Sequence, residues 1–247
     1  MYVAAIVPAA GQGRRMGMGR NKAFLPLQRK PVLVHTLSVL SACSVVDEII
    51  VAVSETDLCL CNETLLSQAG VTKSCKFVAG GPTRQESVRR CLPAASPKAE
   101  LFIVHDAVRP LVTPSMVESV TSLAARTGAA VCAVPAKDTV RISTDGTFFS
   151  CTPERSTVWL VQTPQVFAAE ALRAAHDFAV QTEYLGTDDA SLVERLGMRV
   201  YIADGSYENL KITTREDLVL ADAILKHRKG EKRHAGTRDD DCEPGDH

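Results

Sequence analysis

No stretch of this chain approaches the roughly 18 consecutive apolar residues that a membrane-spanning helix needs. Its first apolar run, Val3 to Pro8, is also too short for the core of a signal peptide, so the sequence implies a cytoplasmic protein with no membrane partner. A spread basic field is missing as well. Lys and Arg number 28 against 29 Asp and Glu, and a net charge of −1 argues against a general nucleic-acid binder. Eight cysteines are present, yet no Cys-x-x-Cys spacing occurs. The close pair Cys59-x-Cys61 has no neighbouring His to complete a zinc site, so the cysteines are expected to be reduced, mostly buried small hydrophobes.

What is present is an alternation. Nearly all-apolar runs at Val3–Val7, Glu48–Val53, Cys75–Val78, Leu101–His105 and Ala130–Val134 read as strands covered on both faces. Between them lie helical patterns. One starts with Pro31 as first residue and runs to Ala42; another spans Asp57 to Ala69 and stops at Gly70; a third covers Arg84 to Leu92. A fourth has Thr113 as N-cap and Pro114 at its first position, and ends before Gly128. Strands and helices in this order imply an α/β fold with a parallel, doubly wound sheet.

From Pro135 to Arg155 the pattern breaks. Two short antiparallel strands around the Asp145-Gly146 turn are expected, a hairpin arm at about 136–157 that is either a lid or a reach toward another subunit. Trp159–Val166 resumes as extended chain. Helices come next at Ala168–Gln181 and Asp188–Leu196, then a strand at Val200–Ala203 and a last helix from about Thr214 to His227. Residues 1–227 therefore read as one domain, and 228–247 as a charged, disordered tail.

The loop after the first strand carries the chemistry. Gly11-Gln-Gly13-Arg-Arg-Met16 lacks the third glycine of a dinucleotide fingerprint, and no P-loop pattern G-x-x-x-x-G-K-[ST] occurs. What remains is a small-residue stretch, Ala9-Ala10-Gly11-Gln-Gly13, whose backbone amides can approach an anion closely. Arg14, Arg15, Arg20 and Lys22 add cations matching the about four negative charges of a nucleoside triphosphate. His105-Asp106 ends a long apolar strand, where a carboxylate faces the ligand crevice of an open α/β sheet. Asp106 is read as a Mg²⁺ ligand, because Mg²⁺ takes few protein carboxylates alongside phosphate oxygens. The alternative is an N-cap or an ion pair with Arg109, and His105 is read as structural.

Pro8-Ala-Ala-Gly-x-Gly-Arg-Arg-Met16 with Lys22 resembles the signature of the cytidylyltransferases that act on 2-C-methyl-D-erythritol 4-phosphate in the non-mevalonate isoprenoid pathway. Gly80-Gly-Pro-Thr-Arg-Gln-Glu-Ser-Val88, His105-Asp-Ala-Val-Arg-Pro110, Thr163-Pro-Gln165, Thr187-Asp-Asp-Ala-Ser191 and Asn209-Leu-Lys-Ile-Thr213 are similar to that family's later motifs, in family order. The resemblance implies a three-layer, mostly parallel Rossmann-like nucleotidyltransferase sheet with an inserted β-hairpin arm. It further implies CTP and methylerythritol phosphate as substrates, Mg²⁺ as cofactor, and a homodimer whose arms cross between subunits.

Nucleotide binding is then expected at Pro8, Ala9, Ala10, Gly11, Gly13, Gly81, Ser87, Asp106 and Lys211, with the Gly80-Gly81 loop selecting cytosine. Arg15 and Lys22 would meet the developing charge, Arg155 and Lys211 would hold the acceptor phosphate, and Arg109, Thr139 and Thr187 would join Arg155 around it. Position 82, commonly acidic in relatives, is Pro here, which removes one amide donor from the base loop. The sister enzyme acting on ribitol 5-phosphate more often has Ala-Gly-Gly in its first loop. A purine-specific transferase and a non-catalytic sugar-nucleotide sensor are the remaining alternatives.

Overall fold

A computed structural model of the chain describes residues 1–11, 21–61 and 63–236. Gly13, Arg14, Arg15 and Arg20 lie outside the described residues. Nine strands and seven α-helices occur among the described residues. In order they are β1 (Tyr2–Pro8), β2 (Pro26–Leu27), β3 (Lys30–Pro31), α1 (Val32–Ala42), β4 (Glu48–Val53), α2 (Glu63–Ala69), β5 (Ser74–Ala79) and α3 (Arg84–Cys91). Next come β6 (Ala99–Val104), α4 (Pro114–Thr127), β7 (Ala129–Pro135), β8 (Trp159–Ala168), α5 (Ala169–Gln181), α6 (Asp189–Arg195), β9 (Tyr201–Asp204) and α7 (Arg215–Gly236).

Seven strands form the main sheet in the order β5-β4-β1-β6-β8-β7-β9. Every pair is parallel except those of β8, which runs antiparallel to both β6 and β7. The expected Rossmann-like α/β sheet is therefore the one observed. From β1 the chain winds through β4 and β5 to one edge, then returns to place β6 on the other side of β1. That reversal between β1 and β6 opens a crevice beyond their carboxyl ends.

The two apolar layers explain why the strand runs are continuous. Along β1, Val3, Ala5 and Val7 face a core shared with Leu33, Leu37 and Leu40 of α1 and Val117 and Val120 of α4. Ala4 and Ile6 face the opposite core, built from Val88 of α3, Leu172 of α5 and Leu192 and Val193 of α6. Each fully buried Leu or Ile contributes about 1.5–3 kcal/mol, so both faces are strongly held. A smaller cluster of Leu27, Val32, Leu111, Ile212 and Ala221 seats α7 beside the crevice.

Several local expectations are corrected. Pro31 ends β3 with extended ψ of 144° and caps α1, which begins at Val32. The single helix read over Asp57–Ala69 is two pieces: a 3-10 helix at Glu55–Leu60, capped by Ser54 accepting from the Asp57 amide, and then α2. In the arm only one antiparallel bridge, Ile142 with Cys151, replaces the two expected strands. The last helix continues past His227 to Gly236. Cys43, Cys91 and Cys132 are buried, whereas Cys59 and Cys151 are exposed.

Candidate active site

Three segments bring their backbones to the crevice. The first is Pro8–Gly11, leaving β1 with the Ala9 amide donating to Ala52 at 2.7 Å. Asn21 fastens the next turn to it. Its Nδ2 donates to the Ala9 carbonyl at 2.6 Å and to Asp57 Oδ2 at 2.9 Å, while its Oδ1 accepts from the Ala23 amide at 3.1 Å. Both ends of the amide are committed, so the 3-10 turn Lys22–Phe24 is locked onto the strand exit. Lys22 thereby lines the cleft, with Nζ donating to the Thr213 carbonyl at 2.6 Å.

The second segment is Gly80-Gly81. A Cβ on Gly80 would lie 2.4 Å from the Ala10 Cβ, so only glycine lets the two loops touch. Thr83, and not Ser87, caps α3 by accepting from the Glu86 amide at 3.0 Å. Ser87 sits one turn further, buried, with Oγ donating to the Thr83 carbonyl at 2.8 Å and accepting from the Gly81 amide at 3.1 Å. It therefore shapes the glycine loop.

The third is His105-Asp106. The Arg109 carbonyl lies 3.1 Å from His105 Nε2 and can only accept, so that nitrogen carries the proton. Burial pushes the His105 pKa down to about 4, leaving Nδ1 bare to accept from Thr163 Oγ at 3.2 Å. Thr163 Oγ in turn accepts from the Asp106 amide at 3.0 Å. His105 is structural, as expected, and it fixes the backbone from which Asp106 projects.

Asp106 is the electrostatic centre. Its Oδ1 accepts from Arg84 Nε at 2.9 Å; its Oδ2 lies 2.8 Å from Lys211 Nζ and 3.8 Å from Arg109 Nε. Arg84 also donates from Nη1 to Asp189 Oδ2 at 2.6 Å. Burial works against the charge on Asp106, but Arg84, Lys211 and Arg109 outweigh it and hold the carboxyl well below its usual range. Asp189 is lowered in the same way, burial being overcome by Arg84 and His176. Because both folded-state values lie below the unfolded ones, the stabilisation is fully present above pH of about 4 and is lost as pH falls through the folded values. Carbon-13 carboxyl titration should therefore find both residues ionising below about 3.9. Midpoints at or above that value would contradict the ion pairs.

Two adjoining cavities result. The larger, about 590 Å³, is lined by Pro8, Ala9, Ala10, Gly11, Lys22, Gly81, Pro82 and Ser87, and by Arg84, Asp106 and Lys211. The smaller, about 240 Å³, is lined by Arg109, Gln162, Thr163, Gln165, Thr187 and Asp188 together with the same Arg84, Asp106 and Lys211. Thr139 and Arg155 line neither cavity; both are exposed on the arm. Sequence reasoning misses Arg84 and Asn21. Arg84 stands inside the Gly80–Val88 motif, but its carboxylate partners are 22 and 105 residues away.

The family model described as IspD: 2-C-methyl-D-erythritol 4-phosphate cytidylyltransferase matches residues 3–227. The 2-C-methyl-D-erythritol 4-phosphate cytidylyltransferase of Geotalea uraniireducens is 45% identical over 234 residues, covering 94% of this chain and 100% of that protein. Among solved structures, 4-diphosphocytidyl-2C-methyl-D-erythritol synthase from Anaerococcus prevotii has a TM-score of 0.80 at 31% identity, covering 91% of this chain and 98% of its own. The 2-C-methyl-D-erythritol 4-phosphate cytidylyltransferase from Thermus thermophilus has a TM-score of 0.75 at 36% identity, covering 92% of this chain and 100% of its own.

Proposed function

The chain belongs to the 2-C-methyl-D-erythritol 4-phosphate cytidylyltransferase family, and from that premise we propose that this cleft joins CTP to 2-C-methyl-D-erythritol 4-phosphate, giving 4-diphosphocytidyl-2-C-methyl-D-erythritol and pyrophosphate. The observation that carries the reading onto particular residues is the pair of cavities sharing Arg84, Asp106 and Lys211. The larger offers close backbone at Pro8–Gly11 and Gly81 to a flat base and its phosphates. The smaller suits a compact phosphorylated polyol, with Arg109 and Thr187 in its wall.

An acceptor phosphate is already largely ionised at neutral pH, so its attack on the α-phosphorus needs no general base. The difficulty is holding two anions in line, and catalysis is chiefly positioning and charge neutralisation. Lys22, with Arg15, meets the charge developing on the α-phosphoryl group and on the departing pyrophosphate. Lys211, with Arg155, holds the acceptor. The Lys211 side chain is 40% exposed and can turn from Asp106 to a phosphate.

Among the described residues no group of three or more His, Cys, Asp or Glu could hold a metal ion. One carboxylate shared by both cavities is nonetheless the donor set Mg²⁺ takes when phosphates and water supply the rest. Asp106 fits that role once Lys211 releases Oδ2. When bound, Mg²⁺ neutralises triphosphate charge.

The arm supports a homodimer. Ile142, Phe148 and Phe149 on it are exposed, as are Trp159, Leu160 and Val161 on β8 and Tyr201 and Ile202 on β9. Strands β8 and β9 flank β7, so this apolar surface is concentrated at one end of the sheet, and such surface favours a partner. Thr139 and Arg155 would then serve the smaller cavity of a second copy. Among the described residues no helix is long and apolar enough to cross a membrane, which agrees with a cytoplasmic site of action.

A pyrophosphate-release assay with Mg²⁺ and CTP tests the reaction: release is expected with methylerythritol phosphate and much less with ribitol 5-phosphate. Preference for ribitol 5-phosphate, or equal use of ATP or GTP, would overturn the reading. Gly80→Ala should raise KM for CTP about tenfold, since the Ala10 loop must give way to the new methyl group. An unchanged KM in steady-state kinetics would show that the loops need not touch.

A further inference from the structure

Behind Arg84 stands a carboxylate that lines neither cavity. Asp189, the first residue of α6, is 1% exposed; its Oδ2 accepts from Arg84 Nη1 at 2.6 Å and its Oδ1 from His176 Nε2 at 3.1 Å. His176 is fully buried on α5, and its Nδ1 has no hydrogen-bond partner among the described residues. A carboxylate oxygen only accepts here, so the imidazole proton sits on Nε2. The contacts run from His176 through Asp189, Arg84 and Asp106 to Lys211, joining α5, α6, α3, the loop after β6 and the segment before α7.

Packing alone does not call for this chain. The surrounding layer is apolar, with Leu172, Ala175, Ala190, Leu192 and Val193, and a buried ion pair generally stabilises no more than well-packed apolar residues of similar volume. Its geometry suggests another use. Arg84 gives Nε to Asp106 and Nη1 to Asp189, one donor to each carboxylate. Deprived of Asp189, the guanidinium fork would be free to take both oxygens of Asp106, the bidentate geometry it favours. Lys211 would then lose the oxygen that holds its ammonium between the cavities until the acceptor phosphate takes it over.

We propose that Asp189, oriented by His176, is a positioning residue for the cytidylyl transfer: it holds Arg84 to one oxygen of Asp106 and so leaves the other to place Lys211 between the two cavities. The inference rests on the reaction proposed above. Neither Asp189 nor His176 needs to touch the substrates, so the pair acts on the approach of the two anions and leaves most ground-state contacts alone.

Asp189→Asn should lower kcat about tenfold or more, with KM for CTP and for methylerythritol phosphate each within about threefold of the unmutated protein. His176→Gln retains an N–H for Asp189 and should keep kcat within about threefold, whereas His176→Leu should lose kcat toward the Asp189→Asn level. Circular-dichroism melting is recorded for all three, and kinetics are taken well below every Tm. Asp189→Asn with kcat within about twofold would overturn the proposal. So would equal kcat in His176→Gln and His176→Leu, the comparison that decides if Asp189→Asn does not fold. Lack of pyrophosphate release by the unmutated chain would instead count against the reaction itself. The Arg84 Nη1–H resonances then test the clamp directly: they should exchange slowly in the unmutated protein and fast in Asp189→Asn, and slow exchange in both would overturn the clamp.

Discussion

Lys22→Ala lowers kcat by roughly 10²–10³ while KM for CTP changes much less, if Lys22 acts on charge that grows toward the transition state. The size comes from losing one preorganised donor in a cleft that partly excludes water. Preorganisation here has named parts. Asn21 bonds Ala9, Ala23 and Asp57, and the Thr213 carbonyl holds Nζ, so the ammonium is in place before substrate arrives. Lys22→Arg should recover only part of the loss, because a guanidinium reaching from the same turn cannot occupy the position of a compact ammonium. Steady-state kcat and KM for both substrates check this. A variant with near-normal kcat, or one whose defect lies wholly in KM, would remove Lys22 from the chemistry. Arg15→Ala is expected to cost a similar factor if, as the family resemblance implies, Arg15 meets the same developing charge as Lys22.

Mixing two inactive variants tests the shared site. If Arg155 of one copy serves the cavities of another, Lys22→Ala and Arg155→Ala damage different halves of each composite site. Heterodimers then contain one site carrying both lesions and one carrying neither. After co-refolding or co-expression at equal amounts, about half of the dimers are mixed and activity should return to about a quarter of the unmutated level. The contrast is large, because each variant alone is expected to be severely impaired. No recovery, or a monomer by light scattering, would mean that Arg155 acts within its own chain or not at all. The exposure of Phe148 and Phe149 on the arm favours recovery.

The sheet is readable from the sequence because its strands are covered on both faces. Val3–Val7 and Glu48–Val53 are continuous apolar runs, and a fully buried parallel strand has no polar face to interrupt it. Caps are readable where one side chain does the work, as Thr113 and Gly128 do at the ends of α4. Legibility fails where partners are remote or glycine is missing. The β2–β3 turn puts Gln28 and Arg29 at φ of 48° and 64°, held from outside by Asp222 and Lys229 of α7, and nothing in the local sequence announces it. The place of β8 between β6 and β7 is a matter of long-range register that periodicity does not encode.

The site divides in the same way. Motif order points to Lys22, Asp106 and Lys211 as one cluster, and the structure brings these three into the wall of one cleft. Arg84 escapes because an arginine in a helix-opening turn ordinarily reads as a solvated charge. Only the fold shows it between Asp106 and Asp189. Ser87, which the sequence assigns to nucleotide binding, lines the cleft from within α3, and the cap of that helix is Thr83. A cap must precede the first helical residue with extended backbone, which Thr83 has at ψ of 164°.

Phosphorus-31 NMR of the complete reaction tests the central claim most directly. With CTP, methylerythritol phosphate and Mg²⁺, the acceptor monoester signal is expected to disappear as two coupled diphosphate-diester signals and free pyrophosphate grow in equal amounts. Release of CMP with the acceptor untouched, or no change in either substrate, would contradict it.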